Sequence, residues 1–305
     1  MKKIVAARFA VFAPVLILWS ASSVAAQSQS AHPVFPPSDH AQPGANDGRG
    51  AAPAAVVDAL KKLPTPQRAD GHPDLTGYWG GGYGFNVSYG KLSADGKTYD
   101  IENPVGTAEK PSRVAAAEAA RAAHPPVPPP YKPEFAAKAK EMSDHFMKYD
   151  PVFFCGMSGF PRLGPPAEIV QTPDRLVFLY EPIEQLNSFR VIPVDGRPHD
   201  PSLDPSYLGD SVGHWEGNTM VIDVVNFTDE TWISRDAPIH SDAMHVVETL
   251  TREGNTIRWG VTIEDPKVFT KPMLQNRTLT LGPKEAHVLE QLPCKEHDAV
   301  HIPVK

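Results

Sequence analysis

Beyond Pro151 the chain is written in short runs of apolar and polar residues, separated by glycine, asparagine, aspartate and proline. Alternation with a period of two places successive side chains on opposite faces, so these runs predict strands with one buried face. Leu176-Val177-Phe178-Leu179-Tyr180 predicts a buried strand, and Ser188 to Val194 predicts its antiparallel return, ending at the turn pair Asp195-Gly196. One unit then occurs twice. His214-Trp215-Glu216-Gly217-Asn218-Thr219-Met220-Val221-Ile222 resembles Thr251-Arg252-Glu253-Gly254-Asn255-Thr256-Ile257-Arg258-Trp259, and both contain Glu-Gly-Asn-Thr. Glycine accepts positive φ and asparagine tolerates it, so each unit predicts a tight hairpin. Further strands are expected at Val268-Phe269-Thr270, Arg277 to Leu281 and His287 to Leu292, with an early one at Asp74 to Trp79.

Successive hairpins without intervening helices predict a mainly β chain, an antiparallel meander that closes into a barrel and so removes its exposed edges. A two-sheet sandwich is the competing fold. Helices are expected only before this region. Arg113 to Ala123 is alanine-rich and stops at Pro125-Pro126, and Pro128-Pro129-Pro130 forms an extended spacer. Pro133 suits a first helical turn, and Phe135, Ala139, Met142, Phe146 and Tyr149 follow at helical spacing. Residues 27–68, rich in Ala, Pro, Gly and Ser, read as a disordered arm. The expected organisation is a leader over 1–26, that arm, and one β-barrel domain over 69–305 with a helical insert at 110–150.

The leader expectation rests on Lys2, Lys3 and Arg8, the apolar run from Phe9 to Trp19, and the small residues Ala21 to Ala26. An uncleaved anchor is the alternative, but the run is short for a hydrocarbon core of about 30 Å, so no stable membrane insertion is expected. Removal of the leader takes the formal charge from −7 to about −10. Such an acidic protein lacks the electrostatic footprint of a nucleic-acid binder. The expected location is periplasmic or secreted. In that oxidising setting Cys155 and Cys294 are expected to form a disulfide, in preference to a metal site or a thiol nucleophile.

Gly77-Tyr78-Trp79 resembles the Gly-x-Trp opening of lipocalins, whose tryptophan plugs one barrel end. A larger part of the chain, from Asp74 to Cys294, resembles a family of uncharacterised exported bacterial proteins. The residues that carry the likeness are Glu168 to Pro173, Ser211 to Asp223 with its Trp-Glu-Gly-Asn-Thr hairpin, His240 to Glu248, and Val261 to Pro266. Members of that family often carry histidine where this chain has Asp210, and arginine where it has His214. The resemblance implies a β fold and export, and no catalytic roles.

No His-Glu-x-x-His, phosphate-binding loop or dinucleotide fingerprint appears, and no cofactor or metal is expected. Ser158 lacks the spacing of a nucleophile elbow. Asp223 lies in the apolar run Met220 to Val225, so a desolvated carboxylate is expected there, tuned as an acid or base or paired with an arginine. Glu248 shares a strand face with Val246 and Leu250 and is expected opposite Gly260, beside open space. His240 and His245 bracket the start of that strand and are candidates for proton transfer or ligand contact, with a metal held together with Asp242 or Asp223, and plain structural hydrogen bonding, as the alternatives. Arg190 and Tyr180, on facing strands, and Arg197 and His199, in a loop, are candidate ligand contacts. The aromatic set Tyr78, Trp79, Tyr83, Phe85, Tyr89, Trp215, Trp232 and Trp259 divides between pocket lining and core.

The leading expectation is therefore a barrel that holds a small, largely apolar molecule in its cavity. Its rival is a cofactor-independent isomerase, lyase or hydrolase in the same cavity. There Asp223 or Glu248 would act as base, His245 or His240 as acid, and Arg190 would stabilise negative charge. A partner-binding envelope protein is the third possibility.

Overall fold

In a computed structural model the described residues are 54–80, 87, 90–101, 127–183 and 186–289. Helix α1 spans Ala54–Lys61 and α2 spans Pro133–Asp144. The strands are β1 (Gly77–Gly80), β2 (Gly90–Leu92), β3 (Tyr99–Ile101), β4 (Glu168–Gln171), β5 (Arg175–Ile183), β6 (Leu186–Pro193), β7 (Asp210–Glu216), β8 (Thr219–Val225), β9 (His245–Glu253), β10 (Thr256–Glu264) and β11 (Met273–Leu281). Among the described residues no helix is long and apolar enough to cross a membrane.

The sheet runs β6-β5-β4-β1-β11-β10-β9-β8-β7, antiparallel at every step. Strand β1 joins the two halves by changing partner along its length. Gly77 and Tyr78 pair with β4, while Trp79 and Gly80 pair with β11. The path ends, β6 and β7, then meet. Gly196 donates its N–H to the Gly213 carbonyl at 3.0 Å, and a Cβ on Gly213 would lie 3.4 Å from Ile192 Cγ2. The chain is thus mainly β, an antiparallel meander nearly closed into a barrel, as the pattern of hairpins predicted.

The alternation fixes what faces inward. Met220, Ile222 and Val224 on β8 are fully buried, as are Val246, Glu248 and Leu250 on β9. Trp259 and Ile263 on β10 and Met273 and Leu279 on β11 continue the same core. Burial of each such apolar side chain contributes about 1.5–3 kcal/mol, so a one-residue slip that exposed a whole face would be strongly disfavoured.

Both Glu-Gly-Asn-Thr units form two-residue hairpin turns, with Glu216 paired to Thr219 and Glu253 to Thr256. Gly254 has φ 58° and also lies under backbone, since a Cβ there would sit 2.3 Å from the Leu60 carbonyl oxygen. That contact seats the end of α1 on the β9–β10 turn, where Asn255 N–H donates to the Leu60 carbonyl and Gly254 N–H to Thr65 Oγ1. Residues 54–68, read from the sequence as the end of a loose arm, are therefore structured and docked.

Several expected elements differ. Val268-Phe269-Thr270 is a turn, because the Asp265 carbonyl accepts from both the Val268 and Phe269 N–H groups. Both residues still bury, with Phe269 bridged to Tyr131. Strand β11 begins at Met273, before the expected Arg277. His287 to Leu289 form no strand and are tied to β4 instead, the Val288 N–H donating to Glu168 Oε2 at 3.0 Å. The helix expected at Pro133 is present, but it breaks at His145 before a single further turn, Phe146–Tyr149. The helix expected at Arg113 to Ala123 lies outside the described residues, as do Cys294 and the leader.

Candidate functional site

Two clusters of polar side chains occupy opposite faces of the barrel wall. The inner one is centred on Glu248, which is 0% exposed. Arg190 Nη1 donates to Glu248 Oε2 at 2.6 Å, and Trp259 Nε1 donates to Glu248 Oε1 at 3.0 Å. Arg190 Nη1 also reaches the Tyr180 hydroxyl at 3.1 Å, while Nη2 donates to Ser211 Oγ at 2.7 Å. The guanidinium lies 4.1 Å from the centre of the Phe160 ring. Burial works against the Arg190 charge, but Glu248 and Tyr180 outweigh it and hold the group above its ordinary range. Burial likewise pushes the Tyr180 hydroxyl up.

Each member of this network is placed by strand geometry. Phe178 pairs with Arg190 across β5 and β6, so Tyr180 lies one inward position along. Ser211 comes from β7 across the closing seam. Thus the structure brings Tyr180, Arg190, Glu248 and Trp259 together, four of the residues singled out in the sequence. It corrects one detail. Glu248 pairs with Val261, and Gly260 pairs with Thr249. The two-residue turn at Gly254-Asn255 shifts the register by one from the expected Glu248–Gly260 pairing. Gly260 faces outward and the open space expected beside it is filled, since a Cβ there would lie 2.6 Å from Thr249 Oγ1 and 3.1 Å from Asn276 Oδ1.

The outer cluster contains Asp223. On β8 Met220, Ile222 and Val224 point inward, so Asp223 points outward and its side chain is 39% exposed. The expected desolvation of this carboxylate is only partial, because the strand is buried on one face only. Asp223 Oδ2 faces His199 Nε2 at 3.2 Å, and its Oδ1 contacts His245 Nε2. His199 Nδ1 in turn faces Asp210 Oδ2 at 2.8 Å. The result is a chain, Asp210–His199–Asp223–His245, laid across β7, β8, β9 and the connection that follows β6. A neutral imidazole has a single N–H, so only the doubly protonated His199 ring can donate to both carboxylates.

Beside this chain lies a cleft of about 310 Å³, with Val212, Val221 and Val247 as its floor and Arg197, His199, His214 and Asp223 at its rim. Arg197 is held by Asp195, with Nε to Oδ1 at 2.9 Å and Nη2 to Oδ2 at 2.6 Å, and His214 Nε2 faces Glu216 at 3.1 Å. Among the described residues no group of three or more histidine, cysteine or acidic side chains is arranged to hold a metal ion.

Asp223 and Glu248, expected in one cavity, are thus on opposite sides of the wall, and Arg190 does not reach the Asp223–His245 pair. His240 is separate again. It is buried, with Nε2 3.0 Å from Thr231 Oγ1 and Nδ1 3.3 Å from the Ser241 carbonyl, and burial lowers its pKa. Of the aromatic set, Trp79, Trp232 and Trp259 are core, and Trp215 stacks on His72 with ring centres 4.5 Å apart. Tyr83, Phe85 and Tyr89 lie outside the described residues. The sequence reading missed Ser211, Phe160, Asp210 and His214 as site residues. For the last two a signal existed. Counting by twos along β7 puts Asp210, Val212 and His214 on one face, and the Gly217-Asn218 turn sets Val212 opposite Asp223.

Burial pushes the Asp223 carboxyl up, but the hydrogen bonds from His245 and His199 outweigh it and hold it below its ordinary value of 3.8. A carboxylate with a depressed folded-state pKa contributes stability above its unfolded pKa, and that contribution is lost as pH falls through the folded value. Wild type should therefore exceed D223N in urea midpoint at about pH 6, and the gap should shrink towards about pH 3. A gap independent of pH would contradict this.

Comparison with known proteins finds no matching family model, no matching curated protein and no matching solved structure.

Proposed function

We propose that this chain is an exported β-barrel protein that binds a small, largely apolar molecule, and that the ligand occupies the outer cleft on β7–β9. The observation that carries the reading is an apolar floor of three valines bordered by Arg197, His199, His214 and Asp223. Its volume of about 310 Å³ lies at the small end of the range for small-molecule sites. The interior is a weaker candidate, because its polar groups engage one another, with Arg190 and Trp259 both donating to Glu248.

The acid–base alternative has less support. Glu248 is engaged by Arg190 and Trp259 inside the wall, Asp223 and His245 lie on its outer face, and His240 is buried against Thr231 and Ser241, so the expected acids and bases do not share one cavity. Export is supported by the basic start and apolar run of the leader, and by the resemblance to exported bacterial proteins. A bond between Cys155 and Cys294 belongs to the same proposal.

Native mass spectrometry of protein purified from its own periplasm tests the reading. Wild type should retain a small-molecule mass that V221W, with an indole placed on the cleft floor, loses while keeping its cooperative unfolding. Retention of the same mass by V221W, or an empty wild-type protein, would refute it.

A further inference from the structure

We infer that the cleft ligand is a small organic cation, an alkylammonium group on an apolar body, with its nitrogen against Asp223. The inference rests on the reading of the cleft as a ligand site and adds the charge of what it takes.

The charges around the cleft decide the sign. Arg197, the cation at its rim, is bound by the Asp195 carboxylate through Nε and Nη2, so the pair adds no net charge. Asp210, His199, Asp223 and His245 form one hydrogen-bonded chain, whose two carboxylates and two imidazoles sum to zero when both rings are doubly protonated and to a negative charge otherwise. His245 faces Asp223 from β9, and its cross-strand partner on β10 is Glu264, another acid. On the β7 side His214 faces Glu216. Among the described residues, the groups around the valine floor therefore sum to zero or to a negative charge, and not to a positive one. The whole chain has a formal charge of −7, so an approaching cation is favoured from a distance as well.

Asp223 has capacity for such a ligand. An ionised carboxylate offers about four lone-pair sites, and His199 and His245 use one on each oxygen. The side chain remains 39% exposed at the cleft rim. The imidazole hydrogen bonds that favour its ionised form also hold its orientation. An anionic ligand of the same shape would meet this carboxylate with, among the described residues lining the cleft, no cation that lacks an acidic partner. A neutral one would gain the valine floor alone.

The test uses three probes that share a phenyl ring and a short chain: phenethylammonium, phenethyl alcohol and hydrocinnamate. Each is titrated at neutral pH into the mature protein, with the Val212, Val221 and Val247 methyl resonances as the readout. A charge-assisted contact predicts that phenethylammonium binds about tenfold to a hundredfold more tightly than phenethyl alcohol. Hydrocinnamate should bind more weakly than either. In D223N the advantage of the cation should vanish while the affinity for the alcohol is kept, which also shows that the cleft is intact. Equal affinities for cation and alcohol, tightest binding by hydrocinnamate, or an unchanged cation advantage in D223N would overturn the inference and leave the cleft reading standing. No shift at the three valines with any probe would overturn both.

Discussion

Replacement of Glu248 by alanine is expected to destabilise the protein by about 3–5 kcal/mol, since it strands a buried guanidinium without its counter-charge. Arg190 is 4% exposed and Glu248 is 0% exposed, so solvent cannot take over the lost contact. Trp259 Nε1 loses its acceptor in the same step. Urea unfolding of wild type and E248A measures the loss. The paired variant R190M/E248M makes the test specific. Exchange of a buried ion pair for apolar side chains of similar volume is often neutral, or stabilising by about 1–4 kcal/mol. The double variant should therefore be more stable than E248A. A loss under about 1 kcal/mol in E248A would mean that the network contributes little.

A similar loss, about 3–5 kcal/mol, is expected for D150A. Arg162 donates to both Asp150 oxygens, at 2.9 and 2.8 Å, and the aspartate is 0% exposed. Asp150 Oδ1 also accepts from the Val152 N–H, so the substitution frees the start of the turn at Pro151–Phe154. D150N should keep much of that last contact and still lose most of the stability, because the Arg162 charge stays buried. The segment held by this pair delivers Phe160 to the face of Arg190. The D150A and E248A losses should therefore fail to add in the double variant, as expected for sites with shared partners. Strict additivity in urea unfolding would show that the segment and the inner network are independent.

The fold was legible because its signals are local. The Glu-Gly-Asn-Thr turns and the alternation on both sides of them set the β7–β8 and β9–β10 hairpins from a few adjacent residues. Pro133 and the apolar spacing after it did the same for α2. Long-range and single-residue features were harder. Strand β1 divides its pairing between β4 and β11, which no local pattern encodes. The Glu248 register was missed by one residue because it depends on whether the Gly254 turn has two residues or three. Among the site residues, facing strands pointed to Arg190 and Tyr180, the aromatic set to Trp259, and an acid on an apolar strand face to Glu248, and the structure gathers them. Asp223 drew attention for the same reason, but a run such as Met220 to Val225 does not reveal that only one of its faces is covered. The Asp210–His199–Asp223–His245 chain joins four separate segments, so no spacing in the sequence announces it.

The meeting of β6 and β7 has a mechanical consequence. Among the described residues no ladder joins these two strands, and the join relies on the Gly196–Gly213 hydrogen bond and on Arg190 reaching Ser211. From β7 round to β11 the wall must break continuous rows of main-chain bonds to part, whereas here it has only a few stitches. Thermal breathing of the cylinder should begin along this line, and solvent deuterium should reach the facing amides of β6 and β7 before those of β9 and β10.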